Sequence, residues 1–129
     1  MRLLLDTHVL IWWLHRPTRL DPVTFAFLED TANDVLFSAA SIWEIAIKAS
    51  LGRADFTLRP DAVAQAACDS GFIEHPVSAD HAARVASLPL HHRDPFDRLL
   101  VAQAMAGPLR LYTADPLLQP YSELVTLIA

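Results

Sequence analysis

The chain has 129 residues, 53% hydrophobic and 19% charged, with a formal net charge of −5. That length suits a single domain with a real core, and that composition excludes a disordered chain. The longest wholly apolar run, Val9 to Leu14, is far too short to span a membrane, and the net acidity argues against a protein that coats DNA.

A nuclease is still compatible with that charge, because a bound cation can bring an acidic site to phosphate. The apolar segment ahead of Asp6 is too short for a secretory signal. Cys68 stands alone, so no internal disulfide is possible, which fits a reducing cytoplasm. Lys48 is the only lysine; the other basic residues are Arg, a residue suited to bidentate phosphate contact, though codon bias gives the same count.

Residues 2–6 read as a strand, since three consecutive leucines without helical period suit a strand buried on both faces. His8 to Leu14 reads as a short, very apolar helix ending before Pro17. Asp21-Pro22 is an N-cap with Pro at the first helical position, opening a helix to about Thr31. Val35 to Ser38 is a second strand. Ser41-Ile42-Trp43-Glu44 has the capping-box pattern and opens a helix ending near Gly52. Pro60 to Ser70 is an amphipathic helix stopped by Gly71, and Phe72 to Val77 a third strand. Ser78 caps a helix to about Leu88. Asp94-Pro95 caps the next, to about Ala106, stopped by Gly107-Pro108. Leu109 to Thr113 and Leu124 to Ile128 complete the strands. This alternation with short links predicts an α/β sandwich: a mainly parallel central sheet of four to five strands flanked by helices, one domain over residues 1–129.

The acids fall in a pattern. Asp6 follows the first strand, Glu44 lies early in the helix after the second, Asp97 in the first turn of the helix begun by Asp94, and Asp115 after the fourth strand. In a parallel sheet, strand C-termini and the following helix N-termini share one edge, where ligands bind. Four converging carboxylates repel one another strongly without a cation. Oxygen-only ligands with no nearby thiolate favour Mg²⁺, with Mn²⁺ as a substitute, over Zn²⁺. Helix N-terminal amides on the same edge add donors for phosphate.

Each acid also has a structural reading. Glu44 is the capping-box partner of Ser41, Asp97 stands in the same relation to Asp94, and Asp115 before Pro116 is an N-cap. Asp94 itself reads mainly as a cap. Asp6 is harder to dismiss, because a carboxylate at a buried strand end needs a partner.

Three segments carry a resemblance: Leu3-Leu4-Leu5-Asp6-Thr7-His8, Ser38 to Lys48 around Trp43-Glu44-Ile45, and His92-Arg93-Asp94-Pro95-Phe96-Asp97-Arg98-Leu99-Leu100 through Ala104. Together, in this order and spacing, they resemble the signature blocks of PIN-domain proteins, and within them the VapC-type toxins of prokaryotic toxin–antitoxin pairs. The resemblance implies a PIN-like three-layer sandwich and a metal-dependent ribonuclease with Asp6, Glu44 and Asp97 as core acids. A fourth family acid maps more loosely onto Asp115, in Thr113-Ala114-Asp115-Pro116. Thr7 and Thr113 match positions where hydroxyls help to hold the site or its water. The implied chemistry is hydrolysis of RNA phosphodiester bonds, with Asp6 and Asp97 holding the ion and Glu44 and Asp115 completing its shell, orienting water or binding a second ion. Implied partners are an RNA substrate, an identical subunit in a homodimer, and a cognate antitoxin segment lying across the first helices; no membrane is involved.

Other residues have two readings each. Lys48 is an i,i+4 partner of Glu44 or a helper at the site. Arg93 and Arg98 bind RNA phosphates or form a solvated face. Trp12, Trp13 and Trp43 stack bases or pack in the core or an interface. His91 and His92, being adjacent, read as loop residues without a metal role. The helix Val9 to Leu14 is apolar all round, so part of it is expected to form an interface unless it is ordinary core.

Rival functions are a catalytically inactive PIN-fold interaction module, a phosphatase that places Asp after its first strand, and a receiver-like signalling domain. The phosphatase needs a second Asp where His8 stands, and the receiver needs an acidic pair at the end of strand one and a late Lys; neither is present.

Overall fold

A computed structural model describes residues 1–52 and 57–128. The chain forms β1 (Arg2–Leu5), α1 (Thr7–His15), α2 (Pro22–Glu29), β2 (Asp34–Ser38), α3 (Ala39–Ser50), α4 (Pro60–Asp69), β3 (Ile73–His75), α5 (Ala79–Arg84), α6 (Pro95–Ala106), β4 (Arg110–Thr113) and β5 (Val125–Leu127), with short 3-10 turns between some of them.

The five strands are all parallel, in the order β3-β2-β1-β4-β5. β1 is therefore central, and Leu5 lies level with Phe37 on one side and Tyr112 on the other. The chain winds from β1 through β2 to β3, then returns to place β4 on β1's other side. That reversal opens a crevice beyond the carboxyl ends of β1 and β4.

Alternation along the strands splits the core in two. Leu3, Leu5, Val35 and Phe37 face α1 to α4, with Val9, Leu10, Leu28, Ile45, Val63 and Ala67. Leu4, Leu36 and Leu111 face α6, with Leu100, Val101 and Ala104. The short run after β1 is largely core: Val9 and Leu10 are fully buried, and Trp13 packs on Phe25 and Phe72 with ring centroids 4.9 and 5.6 Å away. Trp12 is half-buried and carries the Arg19 guanidinium 4.6 Å from its ring centroid. Trp43 is different: it is 60% exposed and meets the edge of Phe96.

The main departures from the expected boundaries lie at α3, β3 and α5. α3 begins directly after β2, with Ser38 as its cap, accepting from the Ala40 N–H at 3.0 Å. Ser41 is thus a buried third helical residue, and its hydroxyl accepts from Thr7 at 2.9 Å. Glu44 consequently lies in the second turn, and the capping-box reading of Ser41 and Glu44 fails. β3 is shorter than Phe72 to Val77, because the Phe72 N–H closes the end of α4 on the Ala67 carbonyl and Pro76 has no N–H to give. The segment after Ser78 is α-helical only to Arg84 and then tightens to a 3-10 turn over Val85–Ser87.

Candidate active site

Asp6 sits at the mouth of the crevice. It ends β1, its N–H donating to the Tyr112 carbonyl at 3.0 Å, and it caps α1, its Oδ1 accepting from the Val9 N–H at 2.8 Å. Its other oxygen accepts from the Thr113 hydroxyl. Thr113 in turn accepts from the Asp115 N–H at 3.0 Å, so one buried hydroxyl ties the first acid to the last. Burial pushes the Asp6 carboxyl up, against the pull of these two hydrogen bonds and of His8; Glu44 pushes it further.

Asp115 divides its carboxylate. One oxygen caps the 3-10 turn over Pro116–Tyr121 through the Leu117 N–H at 2.9 Å. The other lies 2.8 Å from His92 Nε2. Asp94 caps α6, its Oδ1 accepting from the N–H groups of Phe96 and Asp97 at 2.8 and 3.2 Å. With that duty taken by Asp94, the Asp97 carboxylate faces the crevice, 3.4 Å from the same His92 nitrogen.

Glu44 is nearly fully buried. One oxygen pairs with Lys48 Nζ at 2.9 Å; the other, Oε1, has no hydrogen-bond partner among the described residues. A buried carboxylate oxygen without a donor costs free energy unless something cationic or protic meets it. The Asp97 carboxyl is pushed up to about 7, first by burial, then by Asp94, Asp6 and Glu44, with His92 pulling the other way. Asp6, Glu44 and Asp97 thus all lie within electrostatic reach of one another. Uncompensated negative charge, an open carboxylate oxygen and hard oxygen donors together fit a divalent cation.

His92 is the residue that sequence reasoning left out. Its ring joins Asp97 and Asp115, and one ligating atom from each of the three residues falls within 4.8 Å of the others. The signal was available: His92 stands two residues before the α6 cap, on the same sheet edge as the acids, whereas His91 points to Tyr121.

Arg98 does not serve as offered. Its guanidinium donates to the carbonyls of Val85, Leu88, Pro89 and His92 and to the Tyr121 hydroxyl at 3.1–3.4 Å, strapping the loop that carries His92. Arg93 is exposed. Thr7, through Ser41, joins the start of α1 to α3.

A family model described as the PIN domain matches residues 3–122. Among solved structures, the chain is similar to one from VapBC2 of Rickettsia felis bound to a DNA fragment from their promoter, with 14% identity over 98% of this chain and 97% of that one and a TM-score of 0.70. It is also similar to one from FitAcB of Neisseria gonorrhoeae, with 21% identity over 100% and 97% and a TM-score of 0.57. No curated protein matches the sequence.

Proposed function

The chain belongs to the PIN domain family, and from that premise we propose that it is a divalent-metal-dependent endoribonuclease, the toxin of a toxin–antitoxin pair. The observation that carries the reading is the crevice itself: among the described residues buried Glu44 keeps an oxygen unpaired, while Asp97 is held near 7 by burial and its neighbouring acids. A site that only stabilised the fold would gain by removing one of these charges.

Asp6 and Asp97 would hold Mg²⁺ or Mn²⁺, with Glu44 and Asp115 contributing directly or through water. When bound, the ion supplies a more acidic attacking water and offsets charge on the scissile phosphate. The chain's own groups do the rest. Thr113 and the Val9 N–H fix both oxygens of Asp6, so its orientation needs no adjustment on binding. Lys48 holds one oxygen of Glu44 and leaves Oε1 free to take a proton from water or to orient it. The start of α6 offers phosphate no free N–H, since Pro95 has none and Asp94 accepts from Phe96, Asp97 and Arg98; the start of α1, on the same edge, is where phosphate would approach.

The regulatory part of the reading rests on fold likeness to the VapBC2 and FitAcB chains. A cognate antitoxin would cover the crevice, and a second copy of the chain would complete a homodimer in the cytoplasm. Among the described residues, no helix is long and apolar enough to cross a membrane. The inactive-module alternative is disfavoured because all four acids are present at the crevice.

The test is direct. Purified protein is incubated with RNA in Mg²⁺, in Mn²⁺ and in EDTA. Cleavage only with the divalent ions is expected; intact RNA under every condition would sink the enzyme reading.

A further inference from the structure

Beside the acids, a cleft of about 510 Å³ runs between α1 and α3, closed on one side by residues 57–58. Its size falls within the ~300–1,000 Å³ of small-ligand sites. Two lining residues connect it to the acids: Thr7 follows Asp6 in the chain, and Lys48 reaches Glu44 at 2.9 Å.

The lining is unusual for this molecule. The chain carries 15 acidic residues against 10 Lys and Arg. Among the described residues, however, the cleft is lined by His8, His15, Arg16 and Lys48 and by no acid. Trp12 lies among them, with the Arg19 guanidinium over its ring at 4.6 Å. Cations flanking an aromatic face are the chemistry that holds single-stranded nucleic acid: the cations meet phosphate, and the ring stacks a base.

We propose that this cleft is a nucleotide subsite for single-stranded RNA next to the scissile phosphate, with Arg16 meeting the backbone and Trp12 the base. The assignment rests on the ribonuclease reading and adds a direction to it: the strand leaves the acids along α1. Charge favours RNA over an acidic peptide only in combination with the ring, so the peptide is an explicit alternative outcome.

The test measures binding apart from cleavage. A fluorescein-labelled 12-nucleotide single-stranded RNA is titrated in EDTA at low salt, read by anisotropy. The proteins are wild type, Arg16→Glu, Trp12→Ala, Trp12→Phe and a control, Arg110→Glu, at the opposite end of the sheet. Arg16→Glu should weaken binding at least roughly tenfold and flatten its salt dependence. Trp12→Ala should cost roughly five- to a hundredfold, and Trp12→Phe much less. Arg110→Glu should bind nearly as wild type does. If Trp12→Ala proves poorly folded by circular dichroism, exposed Arg16 still decides the matter. Wild-type affinity in Arg16→Glu, an equal loss in Arg110→Glu, or no binding by wild type would overturn the proposal. So would unchanged RNA affinity in Arg16→Glu accompanied by lost binding of a Glu-rich decapeptide, which would make the cleft a peptide site. Binding as expected by a wild-type protein that never cuts RNA would sink the enzyme reading and leave the subsite standing.

Discussion

The Asp94 N–H donates to His92 Nδ1 at 3.0 Å, and this one contact fixes where the imidazole hydrogen lies. A backbone N–H is only a donor, so Nδ1 is bare and the hydrogen is on Nε2. Nε2 lies 2.8 Å from an Asp115 oxygen, to which it donates, and 3.4 Å from an Asp97 oxygen. In this arrangement His92 is a donor to the acids and not a metal ligand. It stands where a cation would compete with it.

It follows that His92→Ala should lower the melting temperature of the metal-free protein and enlarge the rise produced by Mg²⁺ or Mn²⁺. The variant loses a donor that partly satisfies two carboxylates, and the ion gains by its absence. Thermal melts with and without millimolar divalent ion read both effects. An unchanged metal-dependent rise would mean that His92 and the ion do not compete.

Asp6→Asn and Asp97→Asn should each reduce RNA cleavage by at least about a hundredfold, the scale on which loss of one preorganised group acts. Asp97→Asn should also raise the metal-free melting temperature at neutral pH, since it removes a charge crowded by Asp94, Asp6 and Glu44. Single-turnover cleavage and melting of the same preparations test both halves. Near wild-type cleavage by either variant would remove that residue from the site.

Asp97 also sets a pH dependence. Its carboxyl is near 7 in the folded chain against an ordinary 3.8. Between those values the folded state binds the extra proton, so stability of the metal-free protein should fall as pH rises from about 4 to 7 and then level off. On the proposed function Mg²⁺ would take the place of that proton, so its stabilising effect should grow over the same interval. Denaturant midpoints across this range in EDTA would show the trend; midpoints that rose steadily to pH 7 would contradict it. Other titrating groups add to the curve, so Asp97→Asn, which should flatten it, is the necessary companion.

Thr113→Val should cost about 1–3 kcal/mol, because it strips partners from a buried Asp6 oxygen and from the Asp115 N–H at once. Thr113→Ser keeps the hydroxyl and should recover most of the stability and the cleavage. Urea unfolding of the two variants separates hydroxyl from methyl; equal losses would place the effect in packing.

The three tryptophans should part company. Trp13, against Phe25 and Phe72, should cost about 3–5 kcal/mol on truncation to Ala. Trp43, 60% exposed, should stay within about 0.5 kcal/mol. Any larger consequence of Trp43→Ala should then appear in RNA binding or assembly, read by sedimentation.

What the sequence disclosed follows from how locally each feature is determined. Strand–helix alternation, the Asp21, Ser78 and Asp94 caps and the apolar run of β1 are short-range patterns, and each of these elements starts where they put it. The parallel sheet then carries Asp6 and Asp115 to one edge. Ser41 misled because two serines stand three residues apart ahead of Glu44, and only the end of β2 decides which one caps. Arg98 and His92 misled for a shared reason: their partners, Val85 to Pro89 in one case and Asp115 in the other, are brought in by tertiary folding. For His92 the place ahead of the α6 cap was a local signal, but nothing local names a partner 23 residues away.

Asp6 and Thr113 meet across 107 residues of chain. The first acid is made at the very start of synthesis, but its oxygen gains that partner only after β4 has entered beside β1. Closing so long a loop is slow in folding. The crevice is complete only when nearly the whole chain is present. On the proposed function, a copy truncated before β4 lacks Thr113 and Asp115 and should not cut RNA. An inhibitor would then have only full-length molecules to meet.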